Sequence, residues 1–137
     1  MKAYLIIAAV VAATPAAAQA PAPVSRQISA QARTMSGQPI LLPQGPVQVT
    51  YTETVVPPGG ALPPHKHPYP RYALVMSGRL KVTNLVTGTV SEVKAGELAI
   101  DAIDQWHEAV VLGAEPVRML VIDQAPPGVV NTVRRDP

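Results

Sequence analysis

The stretch GGALPPHKHPYPRYALVMSG, residues 59–78, combines a turn, a proline-stiffened segment with two histidines, an apolar run and a second turn. Pro63, Pro64, Pro68 and Pro70 restrict the backbone around His65-Lys66-His67 to extended conformations. Alternate residues of an extended segment point the same way, so the two imidazoles share one face. Little ordering entropy is left for them to lose on meeting a common ligand.

Outward from that stretch the pattern is one of short β-rich runs: Val47 to Val56, Tyr72 to Met76, Leu80 to Leu85, Val90 to Lys94, Leu98 to Ile100, Trp106 to Leu112 and Val117 to Ile122. Turn residues separate them, among them Pro57-Pro58-Gly59-Gly60, Ser77-Gly78, Ala95-Gly96 and Gly113-Ala114, which is the signature of an all-β sandwich or barrel. Asn84 to Gly88 fits a hairpin loop, with Gly88 free to take a positive φ. Connections this short favour antiparallel pairing, because parallel strands need long crossovers. The fold class expected is therefore all-β, a small double-sheet antiparallel β-barrel. No helix and no internal repeat is evident.

The chain divides into four parts. Residues 1–20 have the form of a secretory signal peptide: a charge at Lys2, the apolar run Ala3 to Ala13, and small residues ending in Ala18-Gln19-Ala20. Cleavage after Ala20 and a periplasmic or secreted location are expected, with no membrane association of the mature chain. Residues 21–44 form a Pro/Ala-rich extended arm with at most one edge strand near Ile40, residues 45–125 the barrel, and residues 126–137 a C-terminal tail. From Pro21 onward the chain is long enough for one compact domain and too short for two. With 11 basic and 9 acidic residues and no basic cluster beyond Arg134-Arg135, nothing suggests nucleic-acid binding. There is no cysteine, so an exported chain gains no disulfide.

His107, in the run Trp106 to Leu112, completes the chain's three histidines. It is expected to face His65 and His67 across a closed barrel. Three neutral imidazoles make a site for one divalent metal ion, whether iron, zinc, copper, nickel or manganese, with positions left for water or substrate. Strict alternation turns Trp106 and Glu108 away from that site. Asp101 is a candidate inward carboxylate, its direction obscured by the turn at Ala102 to Gln105.

In layout, Gly59, His65, His67 and Gly78 resemble the first motif of the cupin superfamily. Gly96-Glu97 and His107 resemble its second motif, with Ala102, Asp104 and Val111 replacing the family's proline, glycine and asparagine. The resemblance spans about Val47 to Asp123 and implies a jelly-roll barrel of the small single-domain (cupin 2) type, with the metal inside. The departure is Arg71, which stands where the motif has a metal-binding glutamate. Arginine cannot ligate a cation. Either Arg71 receives an anionic group of a ligand, or it turns aside to pair with an acidic residue such as Glu53. Val47, Val49, Tyr51, Glu53 and Val55 share one strand face, so Glu53 is an acid on an apolar face. Glu53 is also a candidate fourth ligand or proton acceptor, and Tyr69 a candidate hydroxyl at the pocket mouth.

These readings lead to an exported metal-binding barrel that acts on or binds a small anionic or oxygenated molecule. No catalytic residue is assigned; Arg71, Glu53 and Tyr69 are the candidates. By resemblance to three-histidine iron members of the superfamily, dioxygenase-like chemistry is the sharpest enzymatic form, and an isomerase or lyase fits the same pocket. The alternative is a non-catalytic ligand-binding or sensing module, with or without metal. Apolar strands and the arm are compatible with a homodimer.

Overall fold

A computed structural model describes residues 20–135, so the expected leader lies outside the described residues except for Ala20. Nine strands form two sheets, and the described residues contain no helix. The strands are β1 (Gln48–Val56), β2 (Ala61–Lys66), β3 (Arg71–Ser77), β4 (Arg79–Asn84), β5 (Val90–Lys94), β6 (Leu98–Ile100), β7 (His107–Val111), β8 (Val117–Ala125) and β9 (Val133–Arg134). One sheet runs β1-β8-β3-β6 and the other β5-β4-β7-β2-β9. Every strand pair is antiparallel, as the short connections require.

Two strands are additions to the expected set. β2 carries Pro63 and Pro64, which donate no backbone hydrogen bond, and its register with β7 shifts between Leu62 and His65. The bulge changes the side-chain parity. Leu62 and His65, an odd number of residues apart, therefore both line the interior cavity. β9 pairs with β2 through His65 and Lys66, so the C-terminal segment closes the edge of that sheet.

The core lies between the sheets and includes Val56, Val75, Leu80, Val93, Val111, Val117 and Met119. β1 presents the opposite face to the one its pattern suggests. Val56 is buried and Thr54 lines the cavity, while Val49 (59%), Tyr51 (75%) and Val55 (57%) are exposed. On the same face Tyr51 is opposite Ile122 and Glu53 opposite Leu120 in β8, which pair in turn with Tyr72 and Leu74 of β3. The outer face of this sheet thus carries an apolar patch beside the Glu53–Arg118 pair. Part of it is covered by the arm: the Met35 N–H donates to the Ile100 carbonyl at 2.8 Å, and Gln38 exchanges two 2.9 Å hydrogen bonds with the backbone of Ile103.

Gly78 and Gly88 both adopt positive φ, +71° and +74°. They differ in surroundings. A Cβ on Gly78 would meet the Pro116 carbonyl oxygen at 2.7 Å, whereas one on Gly88 would meet nothing within 4 Å. Gly88→Ala is expected to cost about 1 kcal/mol for the left-handed backbone alone. Gly78→Ala should cost about 1–3 kcal/mol more, because a backbone oxygen cannot move aside. Urea unfolding of the two variants measures the difference.

Candidate metal centre

His65 lies in β2, His67 follows the strand's end, and His107 opens β7. His65 and His107 are register partners on neighbouring strands of one sheet. The expectation that His107 faces the pair across the barrel is thereby corrected: the three rings sit side by side, because the extended run through His65 and the strand from His107 are hydrogen-bonded neighbours. Their centroids are 4.9, 4.5 and 5.0 Å apart, and one ligating nitrogen from each lies within 4.8 Å of the others.

Each ring is oriented by a backbone carbonyl. Nδ1 of His65 donates to the Pro63 carbonyl at 2.7 Å, Nδ1 of His107 to that of Gln105 at 2.9 Å, and Nδ1 of His67 to that of Asn131 at 2.6 Å. A carbonyl can only accept, so the proton sits on Nδ1 and the Nε2 lone pair is left free. Burial pushes the His65 pKa down to about 4. Burial, with the Arg71 charge adding to it, pushes that of His67 down to about 2. Both are neutral near neutral pH, the form that binds metal. Nε2 of His107 is buried and has no hydrogen-bond partner among the described residues. An orphaned buried acceptor is costly, and a cation satisfies it. Three converging neutral nitrogens fit a divalent ion of the zinc, copper, iron or nickel type.

Arg71 turns toward β8. Its Nε and Nη2 donate to the two carboxylate oxygens of Asp123 at 2.8 and 2.7 Å. Its Nη1 lies 3.4 Å from His67 Nε2, and the side chain lines the cavity. The expected partner Glu53 is corrected here. Glu53 points outward with the exposed face of β1 and pairs with Arg118, while Asp123 is the residue opposite Arg71 in the β3/β8 register.

Tyr69 does not line the cavity; its backbone N–H and carbonyl are held by the Asn131 side chain at 2.9 and 3.1 Å. Trp106 lies under Lys66 and Arg135, 5.3 and 5.7 Å from its ring centroid, and also stays outside the cavity. Asp101 does point inward, and burial raises its pKa.

Two residues that hold the site together were not singled out by the sequence. Asp123 anchors Arg71, and Asn131 joins His67, Tyr69 and Asp123, the last through a 2.7 Å hydrogen bond. A lone asparagine in a tail carries no sequence signal. Asp123 could have been found only by working out the β3/β8 register.

The cavity beneath the histidines has a volume of about 270 Å³. Its lining includes His65, His107, Arg71, Asp101 and Arg134 together with the apolar side chains of Leu62, Val75, Leu80, Val82, Val93 and Met119.

Residues 52–123 match the family described as Cupin domain. No curated protein matches the sequence. Among solved structures, a conserved protein with a double-stranded β-helix domain from Klebsiella pneumoniae subsp. pneumoniae is 27% identical, with a TM-score of 0.52 over 65% of this chain and 76% of that one. An oxalate oxidase is 28% identical, with a TM-score of 0.53 over 63% of this chain and 45% of that one. A polyketide cyclase from Streptomyces resistomycificus is 26% identical, with a TM-score of 0.53 over 64% and 62%. The chain therefore spans less than half of the oxidase and under two thirds of the cyclase.

The Arg71–Asp123 and Arg118–Glu53 pairs differ in environment, and so should their contributions. Arg71 and Asp123 are 18% and 15% exposed, whereas Arg118 and Glu53 are about half exposed. Asp123→Ala, which strands the Arg71 charge inside the barrel, is expected to cost about 3 kcal/mol. Glu53→Ala should cost less than about 1 kcal/mol. Guanidinium unfolding checks both.

Proposed function

The chain belongs to the cupin family, and from that premise we propose an exported protein that holds one divalent metal ion on His65, His67 and His107 and acts there on a small anionic or oxygenated molecule. The observation that carries this reading is the convergence of three Nε2 atoms, each ring having its proton pinned to a carbonyl on the other side.

The chain's own residues divide the work. The carbonyls of Pro63, Gln105 and Asn131 fix the ring orientation, which outer contacts of this kind do in metal sites generally. The barrel walls keep water from the imidazoles and accommodate the apolar body of a ligand. Arg71, steadied by Asp123, lines the cavity, and Arg134 lines it too. Both suit a carboxylate or similar oxygen group. A divalent ion there would act as a Lewis acid and as a template for the oxygen group of the substrate.

Charge points the same way. With neutral imidazoles, Arg71, Arg134, Asp101 and Asp123 sum to zero, and a divalent ion leaves a net positive site that favours an anionic ligand. The cavity lies just below the range of about 300–1,000 Å³ usual for drug-sized ligands, so the molecule is small. Dioxygenase-like turnover is the enzymatic form of this reading. The oxidase and the cyclase among the neighbours are named for work on small molecules, which supports the substrate class and no particular reaction.

One contact favours the non-catalytic, metal-free alternative. Arg71 Nη1 stands 3.4 Å from His67 Nε2, where it competes with a cation. In that case the barrel binds an anion through its arginines alone.

Export rests on the N-terminal sequence, and a homodimer on the exposed apolar face of β1 with its unpaired edge. Protein recovered from the exported fraction is expected to begin at Pro21, sediment as a dimer and carry about one metal per chain. The metal should be lost in the His65→Ala, His107→Ala double variant. Wild-type protein without metal after supply of iron, zinc, copper, nickel and manganese rejects the metal reading. No oxygen uptake across thiols, diketones and phenols rejects the dioxygenase form.

A further inference from the structure

Asp101 follows β6 in the four-stranded sheet, whereas the imidazoles belong to the opposing sheet. Its Oδ2 lies 3.5 Å from His67 Nε2 and 4.0 Å from His107 Nε2. The imidazole protons are on the far nitrogens, so three electron-rich atoms approach one another, and the one donor near them, Arg71 Nη1, reaches His67 Nε2 at 3.4 Å and leaves His107 Nε2 without a partner. Among the described residues the Asp101 carboxylate accepts no hydrogen bond, and the His107 Nε2 facing it is buried and unpartnered. A cation among them would satisfy the nitrogen that Arg71 does not reach. Donor atoms sharing one tetrahedral ion at the usual zinc–nitrogen bond length stand roughly 3.4 Å apart, close to the separations found here.

The carboxylate is held in place. The Asp101 N–H donates to the Arg71 carbonyl at 3.0 Å, and its neighbours Ile100 and Ile103 are bonded to the arm. Its side chain is 14% exposed. Arg71 and Asp101 are adjacent across β3 and the segment following β6, and Arg71 turns the other way, to Asp123. Of the Arg71 guanidinium only Nη1 stays near a histidine, at His67, so the position beside His107 Nε2 is left to the carboxylate.

We propose that Asp101 is the fourth ligand of the metal ion, closing from the opposite sheet the set begun by the three imidazoles. This rests on the metal reading above. It turns a neutral three-nitrogen set into one with a negative charge, which favours harder divalent ions relative to copper.

The test uses full mature protein stripped with a chelator and titrated with Co²⁺ alone against a competing chromophoric chelator, while visible d–d bands are recorded. Asp101→Ala is expected to weaken Co²⁺ binding at least about tenfold and to shift the bands. Asp101→Asn, which keeps the shape and removes the charge, should do the same, and it carries the test if the alanine variant does not fold. Far-UV circular dichroism establishes folding. Affinity within twofold of wild type and an unchanged spectrum in the folded variants overturn the Asp101 assignment and leave the three-histidine site standing. Absence of Co²⁺ binding by the wild type overturns both.

Discussion

The site depends on where three protons sit. A histidine offers a lone pair to the cavity only when its other nitrogen gives its proton away, and here Pro63, Gln105 and Asn131 take those protons through their backbone carbonyls. Two of these acceptors are local, each two residues before its histidine, so the short segments that carry His65 and His107 orient them. The third is remote. His67 is oriented only when the C-terminal segment docks, because its acceptor is Asn131, 64 residues away in sequence. Asn131, 4% exposed, also grips Tyr69 and Asp123. Assembly of the site and closure of the barrel are therefore one event.

The charges near the histidines follow from strand register. Arg71, Asp123 and Asp101 lie on β3, on β8 and just past the end of β6, three neighbouring strands, with Arg71 and Asp101 lining the cavity and Asp123 bonded to Arg71. Arg71 is opposite Asp123, which accounts for a two-toothed ion pair at a place where an isolated arginine would repel a cation. From the sequence alone the candidate partner was Glu53, an acid on the apolar face of its strand. Residue types identified the need for a partner. Only pairing between strands, a relation of about fifty residues, identified which carboxylate met it.

Much of the fold was legible for the same reason that this detail was not. The strands Val90 to Lys94 and Leu98 to Ile100 have the bounds their residues suggest, and the loop from Asn84 to Gly88 is the expected hairpin with Gly88 at positive φ. These are local properties. Even the degenerate second motif keeps its backbone, since Asp104 at the family's glycine position takes a φ of +54°, which aspartate tolerates better than most residues. What period-2 alternation cannot say is which face of a strand is inside. In β1 the apolar face is outward while Thr54 lines the cavity and Val56 is buried, and the outer face has apolar neighbours in β8 and β3.

The prolines around the histidines do more than stiffen them. An uninterrupted strand would put Leu62 and His65 on opposite faces, so either the apolar wall or the ligating nitrogen would be lost to solvent. Pro63 and Pro64 cannot supply ladder hydrogen bonds, and the register slips where they stand. After the slip His65 faces inward beside its partner His107, while the Pro64 carbonyl is free to accept from Arg135 at 3.1 Å. The same bulge thus aims the first histidine and helps seat the segment whose Asn131 aims the second. A sequence feature that reads as mere rigidity is, in the fold, the device that sets the parity of the centre.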